Sequence, residues 1–508
     1  MNATIFLVNS LHCVMQENIL INPTPEQQAV IDWHGEKLVV NAFAGTGKTL
    51  TLVKYAEKRP ELRMLYIAFN RSVREEADEK FPANVLCKTS HQLAWPCFGR
   101  NYANRLTNSL RLFDIANAIE SDDWLYVKAI QDTLKNFMCS VDSQIMLRHC
   151  PSILMGEVKK SFTANEVVRQ SERLWHRMID LSDNFPVIHD MYLKLYQLSQ
   201  PNLSHRFDVI LFDEAQDANP VTHDIVFRQT TKLVMVGDAH QQIYRFRGAV
   251  DALNAPSLTD ADRLWLTHSF RFGACVADVA NALLAMNDEP HQVVGRGEKD
   301  DILVDIPKQG FPHRAILSRT VAGVIGSALE ASSKKATIYW VNGIAAYRID
   351  ELINLHWFSL GKRKKMSNQR LYTEYHDYSN YKRMANASGD QEMLQSIKII
   401  EKFTPLPKKV DVLRKRTVDS EDEAIVTVTT AHRAKGLEWD IVEINNDFPN
   451  NLFDPNMDKA AFRDEVNLLY VSTTRAKKTL ILNKLLVNIL AKVAENEKNG
   501  TDFIQECL

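Results

Sequence analysis

Cysteine is scarce in this 508-residue chain: seven residues, at 13, 87, 97, 139, 150, 275 and 507, with no C-x-x-C pair among them. That number and spacing exclude a disulfide-built scaffold, a zinc ribbon and a dithiol redox motif, and they point to a reducing, cytoplasmic compartment. No apolar run approaches the roughly 18 residues that cross a bilayer, so no membrane association is expected. The first twenty residues hold a short apolar run (Ile5, Phe6, Leu7, Val8) but no Lys or Arg, which argues against a secretory signal. Residues 1–21 read as an N-terminal extension. Glycine (18) and proline (17) are too few for a collagen-like or low-complexity chain. An excess of charge of one sign is missing as well: 61 Lys+Arg against 63 Asp+Glu leave a net charge of −2. A uniformly basic nucleic-acid coat is thereby excluded, whereas a locally basic groove is not.

What the chain does have is apolar mass. Hydrophobic residues make up 45% of it, enough for real cores. At about 100–200 residues per domain, its length predicts three or four domains or subdomains. Four short apolar runs read as buried strands: Leu38-Val39-Val40, Met64-Leu65-Tyr66-Ile67-Ala68, Val209-Ile210-Leu211-Phe212 and Leu233-Val234-Met235-Val236. Each ends in polar or glycine-containing residues, where a doubly wound parallel sheet places its site. Between the second and third runs, residues 101–185 carry helical apolar spacing and predict an inserted helical subdomain. A second set of strand-like runs follows at Ala315-Ile316-Leu317, Ile425-Val426-Thr427-Val428 and Leu480-Ile481-Leu482. The stretch between the first two of these is more polar, with basic runs at Lys362, Arg363, Lys364 and Lys365 and at Lys408, Lys409, Arg414, Lys415 and Arg416. Such runs are read first as a solvated face or linker and second as contacts to nucleic-acid phosphates. The fold expected is α/β, with two doubly wound parallel-sheet domains, each interrupted by a mainly helical insertion.

Ala42-Phe43-Ala44-Gly45-Thr46-Gly47-Lys48-Thr49 follows a strand and precedes a helix-like stretch, as a phosphate-binding loop does. Glycines let backbone N–H groups close around phosphate oxygens. Lys48 is placed to reach the β- and γ-phosphates, Thr49 to hold Mg²⁺, and the helix N-terminus adds partial positive charge. The acidic partner of such a loop stands at the end of another strand. Asp213 is the expected Mg²⁺ carboxylate, and Glu214, next along, the acceptor of a proton from an attacking water. A nucleotide hydrolase follows from these residues; which kind does not.

The ordered motifs, from about residue 24 to residue 478, resemble a superfamily 1 helicase of the UvrD/Rep/PcrA type. Thr24-Pro25-Glu26-Gln27 is similar to its Q motif, which implies that Gln27 reads the adenine edge. Asp213-Glu214-Ala215-Gln216-Asp217 is similar to motif II. Gly237 to Ala249, with Gln241-Gln242-Ile243-Tyr244-Arg245-Phe246, resembles motif III. There Gln241 is expected to sense the γ-phosphate, Phe246 to stack on a base, and Tyr244 to match the motif's tyrosine. Ser269-Phe270-Arg271 resembles motif IV, which gives Phe270 an adenine-stacking role and Arg271 a γ-phosphate contact. In Thr430-Ala431-His432-Arg433-Ala434-Lys435-Gly436-Leu437-Glu438-Trp439, similar to motif V, Gly436 and Glu438 would face nucleotide and Thr430 and His432 DNA. Arg475, in Tyr470-Val471-Ser472-Thr473-Thr474-Arg475-Ala476, is the expected arginine finger of motif VI. Asn70 and His91 complete the expected DNA contacts. The family's motif Ia aromatic aligns with Ala68, so no base-stacking role passes to Phe69, one place later, and Leu50 stands where many members have Arg.

Within that class, His189-Asp190-Met191-Tyr192-Leu193-Lys194-Leu195-Tyr196-Gln197-Leu198-Ser199 and Leu266-Thr267-His268-Ser269-Phe270-Arg271-Phe272-Gly273 look like the helicase part of F-box DNA helicases. The residues ahead of Gln27 are too few for an F-box domain, so no adaptor role is carried over. The resemblance implies a first RecA-like domain at 22–100 and 186–270 with its insertion at 101–185, and a second at 271–324 and 421–490 with its insertion at 325–420. A tail follows at 491–508. It further implies ATP, Mg²⁺, single-stranded DNA and single/double-strand junctions, 3′→5′ movement, and a place in repair or recombination. A cytoplasmic, and in a bacterium nucleoid-associated, protein is expected. The alternative is a DNA-stimulated motor subunit of a nuclease or phage-defence complex, with a protein partner for loading or cutting, since the chain carries no nuclease constellation. A non-hydrolysing nucleotide switch is a third class, against which the intact Glu214 and Arg475 argue.

Overall fold

In the computed structural model, residues 22–499 are described, apart from 122, 152–161, 246, 247, 249, 308, 309, 389, 390 and 455. The first sheet is built from β1 (Lys37–Ala42), β2 (Met64–Ala68), β3 (Val85–Thr89), β4 (Val209–Phe212), β5 (Lys232–Gly237) and β6 (Asp262–Leu266), in the order β3-β2-β4-β5-β1-β6. Every pairing in it is parallel. The alternation of side chains along a strand sends neighbours to opposite faces. Leu38, Val40, Met64, Tyr66, Val209 and Leu211 accordingly enter one core, while Val39, Leu65, Ile67, Ile210 and Phe212 enter another. Both faces are covered, which is why the interior strands read as continuous apolar runs.

β3 and β6 were not expected from the sequence. They are the edge strands, and β6 carries Asp262 and Arg263, with only Leu266 of its five residues buried. An edge strand has one neighbour and less cover, so it needs no unbroken apolar run.

A two-stranded ribbon, β7 (His268–Ser269) with β8 (Val294–Gly295), leads to the second sheet. That sheet comprises β9 (Asp301–Leu303), β10 (Arg314–Ser318), β11 (Ile338–Trp340), β12 (Val426–Thr430), β13 (Trp439–Ile444) and β14 (Ala476–Ile481), in the order β11-β12-β10-β13-β14-β9. It too is parallel throughout. β11 and most of the helix Val321–Ser333 fall inside the 325–420 stretch expected to be insertion, so the sheet draws a strand from beyond that boundary. The reason is burial: Ile338 and Trp340 are almost fully enclosed and share one core with Ile316, Val426 and Val428. The helices Ile349–Ser359, Gln391–Lys402 and Leu406–Arg416 add to that same core, so composition does not break where the chain leaves the sheet.

The first insertion has a core of its own. Leu134, Phe137, Val167, Leu174, Trp175 and Met178, from the helices Trp124–Met138 and Ala164–Ile179, pack together there. Between the two sheets lies the cleft. Phe43, Ala44 and Ile243 of the first half are buried among the core residues of the second, beside Tyr470 and Leu468. Among the described residues, no helix is long and apolar enough to cross a membrane.

Candidate nucleotide site and nucleic-acid cleft

The phosphate loop owes its shape to two glycines. Gly45 and Gly47 sit at φ +75° and +76°, left-handed conformations that cost a glycine nothing. Gly47 is the N-cap of the helix Lys48–Glu57 and supplies no side-chain cap, so the first N–H groups of that helix keep their capacity to bind an anion. Gln27 braces the loop from outside: its Nε2 donates to Thr46 O at 3.1 Å and its Oε1 accepts from Thr24 N–H at 3.0 Å. The amide expected to read adenine is thus also part of a helix capping box and a strut of the loop. Phe270 lies across the loop, its N–H donating to Gly45 O at 2.9 Å, with its own side chain 40% exposed and available for stacking.

The structure brings Lys48 close to the strand-end carboxylates. Lys48 Nζ is 3.5 Å from Glu214 Oε1. Thr49 Oγ1 lies 3.1 Å from Asp213 Oδ2, and the Tyr66 hydroxyl donates to the same oxygen at 2.7 Å. A hydroxyl and a carboxylate oxygen in this position are hard donors of the kind Mg²⁺ takes when phosphates and water complete its shell. Among the described residues no cluster of three His, Cys, Asp or Glu could hold an ion unaided. Burial raises the Asp213 carboxyl above its usual range, and the neighbouring Glu214 charge adds to this. Burial pushes Glu214 the same way, but Lys48 and then Lys435 outweigh it and hold that carboxyl well below its usual range. Glu214 therefore rests ionised, as a proton acceptor must.

The second half enters the same pocket. Lys435 Nζ, from the turn after β12, pairs with Asp217 and lies 3.3 Å from Glu214 Oε2, while donating to Gln241 O at 2.8 Å. Arg475 is 1% exposed. Its Nε donates to Val471 O at 2.9 Å, and its Nη2 faces Gln241 Oε1 at 3.5 Å. Burial, and next the nearby Arg271, lowers its pKa to about 9, still cationic at neutral pH. Arg271 Nε donates to Glu438 Oε2 at 2.7 Å. Gly436, at φ +87°, makes the turn that brings Lys435 and Glu438 to the cleft.

Beside these carboxylates opens a cavity of about 320 Å³, lined by Phe69, His91, Cys139, Asp190, Asn219 and Tyr244 and reaching Asp213, Glu214 and Asp217. Phe69 is 39% exposed and stacks on Tyr244, with ring centroids 5.5 Å apart and planes 18° from parallel. The structure thus brings Phe69, to which the motif Ia position gives no stacking role, to the cavity wall against Tyr244. The Tyr244 hydroxyl donates to His432 O at 3.0 Å, which joins the two halves. His91 Nε2 is 3.2 Å from Asp190 Oδ1. Asn70 and Thr430 are occupied as helix caps, Asn70 Oδ1 accepting from Val73 N–H at 2.9 Å and Thr430 Oγ1 from Arg433 N–H at 3.3 Å. Phe246 lies outside the described residues. Lys435 and Tyr470 stand inside the motif V and motif VI stretches, but no role is assigned to them from sequence, because their partners are in the other half of the chain. In the basic run, Arg363 lies over the Tyr372 ring and Lys365 over the Trp357 ring.

Comparison with known proteins adds a family to this geometry. Residues 23–254 match the UvrD/REP helicase N-terminal domain, and residues 163–486 match the UvrD-like helicase C-terminal domain. F-box DNA helicase 1 of Gallus gallus is 34% identical over 518 residues, covering 93% of this chain and 50% of that protein. F-box DNA helicase protein 1 of Schizosaccharomyces pombe is 32% identical over 520 residues, covering 92% of this chain and 58% of that protein. The chain thus spans little more than half the length of these relatives.

Proposed function

This chain belongs to the UvrD-like helicases, and from that premise we propose that it is an ATP-dependent DNA helicase that moves 3′→5′ along single-stranded DNA in repair or recombination. The observation that carries this reading is the two-sided pocket. Lys48, Asp213, Glu214 and Gln241 come from one half, Lys435 and Arg475 from the other, and the Phe69–Tyr244 stack stands next to them. Mg²⁺ held by Thr49 and Asp213 would neutralise charge on the β- and γ-phosphates. Lys48 and the loop amides bind and orient the phosphates, Glu214 takes the proton of the attacking water, and Arg475 offsets the charge that develops on the transferred group.

Arg475 and Lys435 reach the pocket only while the halves are closed, so each hydrolysis cycle has a closed and an open stage. A strand bound across both halves would be moved by that cycle. Stacking on an aromatic such as the exposed Phe69 is tolerant of sequence, as a motor on arbitrary DNA requires.

The test is phosphate release by the purified chain with and without single-stranded DNA, joined to strand displacement on 3′- and 5′-tailed duplexes. DNA-stimulated hydrolysis that Lys48→Ala abolishes, with unwinding only of the 3′-tailed duplex, is the expected result. Hydrolysis indifferent to DNA would overturn the motor, and unwinding of the 5′-tailed duplex alone would overturn the polarity.

A further inference from the structure

The helix Lys459–Thr473 of the second half packs against the phosphate loop and hydrogen-bonds it through the hydroxyl of Tyr470. It accepts from Ala44 N–H at 3.2 Å and donates to Asp238 Oδ2 at 3.3 Å. That carboxylate oxygen also accepts from Gln241 Nε2 at 2.7 Å, and Gln241 Oε1 faces Arg475 Nη2 at 3.5 Å. On its other side, Asp238 N–H donates to Gln216 Oε1 at 3.2 Å, and Gln216 Nε2 donates to Glu214 Oε2 at 2.7 Å. One phenol therefore closes a circuit that runs from the loop, through Asp238, to both the proton acceptor and the arginine.

The chemistry of the group suits the place. A hydroxyl both donates and accepts, which neither a carboxylate nor an ammonium can do. The ring is fully buried and meets His240 edge-on at 6.2 Å, so the hydroxyl is carried on a rigid arm. Burial, and next the Asp238 carboxylate, keeps its pKa far above the usual value, so it remains a donor. Ala44 belongs to the first half and Tyr470 to the second, so separation of the halves breaks the loop contact and the Asp238 contact together.

We propose that Tyr470 is a positioning residue for hydrolysis, holding the phosphate loop and the Asp238–Gln241 pair in register with Arg475 only when the two halves are closed. This rests on the reading of the pocket as an ATP-hydrolysing one. Preorganised donors act on the transition state more than on bound substrate, so the loss on removing the hydroxyl falls on kcat.

In the full chain, Tyr470→Phe keeps the buried ring and removes only the hydroxyl. DNA-stimulated kcat is expected to fall by about tenfold or more, with KM for ATP within about twofold of wild type. Asp238→Asn, which leaves the helix intact, is expected to reproduce that split, and stands alone as the test if Tyr470→Phe does not fold. The double variant is expected to be no slower than the worse single one, as for two members of one circuit. A Tyr470→Phe kcat equal to that of an active wild type overturns the proposal alone, as do a loss confined to KM or additive losses in the double variant. A wild-type chain without DNA-stimulated hydrolysis overturns the functional reading and this inference with it.

Discussion

Each sheet contains an interior strand that runs through a turn into a buried helix, and the two turns are finished in opposite ways. After β1, the helix Lys48–Glu57 begins at Gly47, with no side chain capping it and two glycines at positive φ. After β10, the helix Val321–Ser333 begins at Thr320, whose Oγ1 accepts from Gly323 N–H at 2.8 Å. Glu392 completes that second cap, its carboxylate accepting from Val321 N–H at 2.9 Å and Ala322 N–H at 2.8 Å. Both helices offer the same unpaired N–H groups and the same partial positive charge. One spends them on side chains, and the other leaves them without a side-chain cap. On the function proposed above, the phosphate site is made as much by the cap that is withheld as by the lysine that is supplied.

The largest expected effect tests whether the second sheet works on what the first one holds. Arg475→Ala removes a cation whose guanidinium faces Gln241. Charge in trans of this kind contributes about 10³–10⁵ in rate in other phosphoryl-transfer enzymes, so DNA-stimulated turnover is expected to fall by about 10³ while nucleotide still binds. Single-turnover phosphate release and a fluorescent-nucleotide titration measure the two separately. A loss under about tenfold would mean that the second sheet adds packing and no charge, and the pocket would then belong to the first half alone.

The contrast between the two turns also sets what was legible in the sequence. Lys48, Asp213 and Glu214 could be read because their chemistry is local: glycines beside a lysine, and carboxylates at a strand end. The interior strands of the first sheet, and β10, β12 and β14 of the second, were legible because burial on both faces demands unbroken apolar runs, whereas interior β13, broken by Asp440 and Glu443, was not. β3, β6 and β11 were not, since two are charged or half-covered edges of the first sheet and the third is a three-residue edge of the second. Lys435 pairs with an acid 218 residues away, so no window around it carries the signal. Tyr470 is in the same position, 426 residues from its partner in the phosphate loop. Gln27 stands out by its place in the resemblance, but its bond to Thr46 O does not, because a loop's outer strut is visible only once the loop is folded.

Converting the open turn toward the closed one sharpens the comparison, with an effect smaller than that of the arginine. Gly47→Asp supplies the missing cap and a negative charge where phosphate would sit. Aspartate tolerates the left-handed conformation better than most residues, although a Cβ at this position would meet Gln27 Nε2 at 3.0 Å. Affinity for ATP is expected to fall at least tenfold, about 1.4 kcal/mol, as read by calorimetric titration. Gly47→Ala brings at least as much strain without the cap or the charge, and is expected to lose less. Equal losses in the two would assign the effect to strain, and the withheld cap would no longer explain the site.

The smallest effect comes from opening the closed turn. Glu392→Gln keeps an acceptor near Val321 and Ala322 N–H but removes the charge that complements the helix end, and Glu392→Ala removes both. Losses of about 0.5 and about 1–2 kcal/mol are expected, visible as stepwise lower urea midpoints, with ATP hydrolysis unchanged. Added phosphate is expected to restore neither variant. Thr320 still occupies Gly323 N–H, and the residues that follow it, Val321 and Ala322, bring no cation such as Lys48 to the freed amides. Rescue of Glu392→Ala by millimolar phosphate would mean that removing a cap alone creates an anion site, and that the glycines and lysine of the first turn are refinements of it. An unchanged midpoint in both variants would mean that the carboxylate contact adds nothing to the fold, and the two turns would then differ only in their glycines.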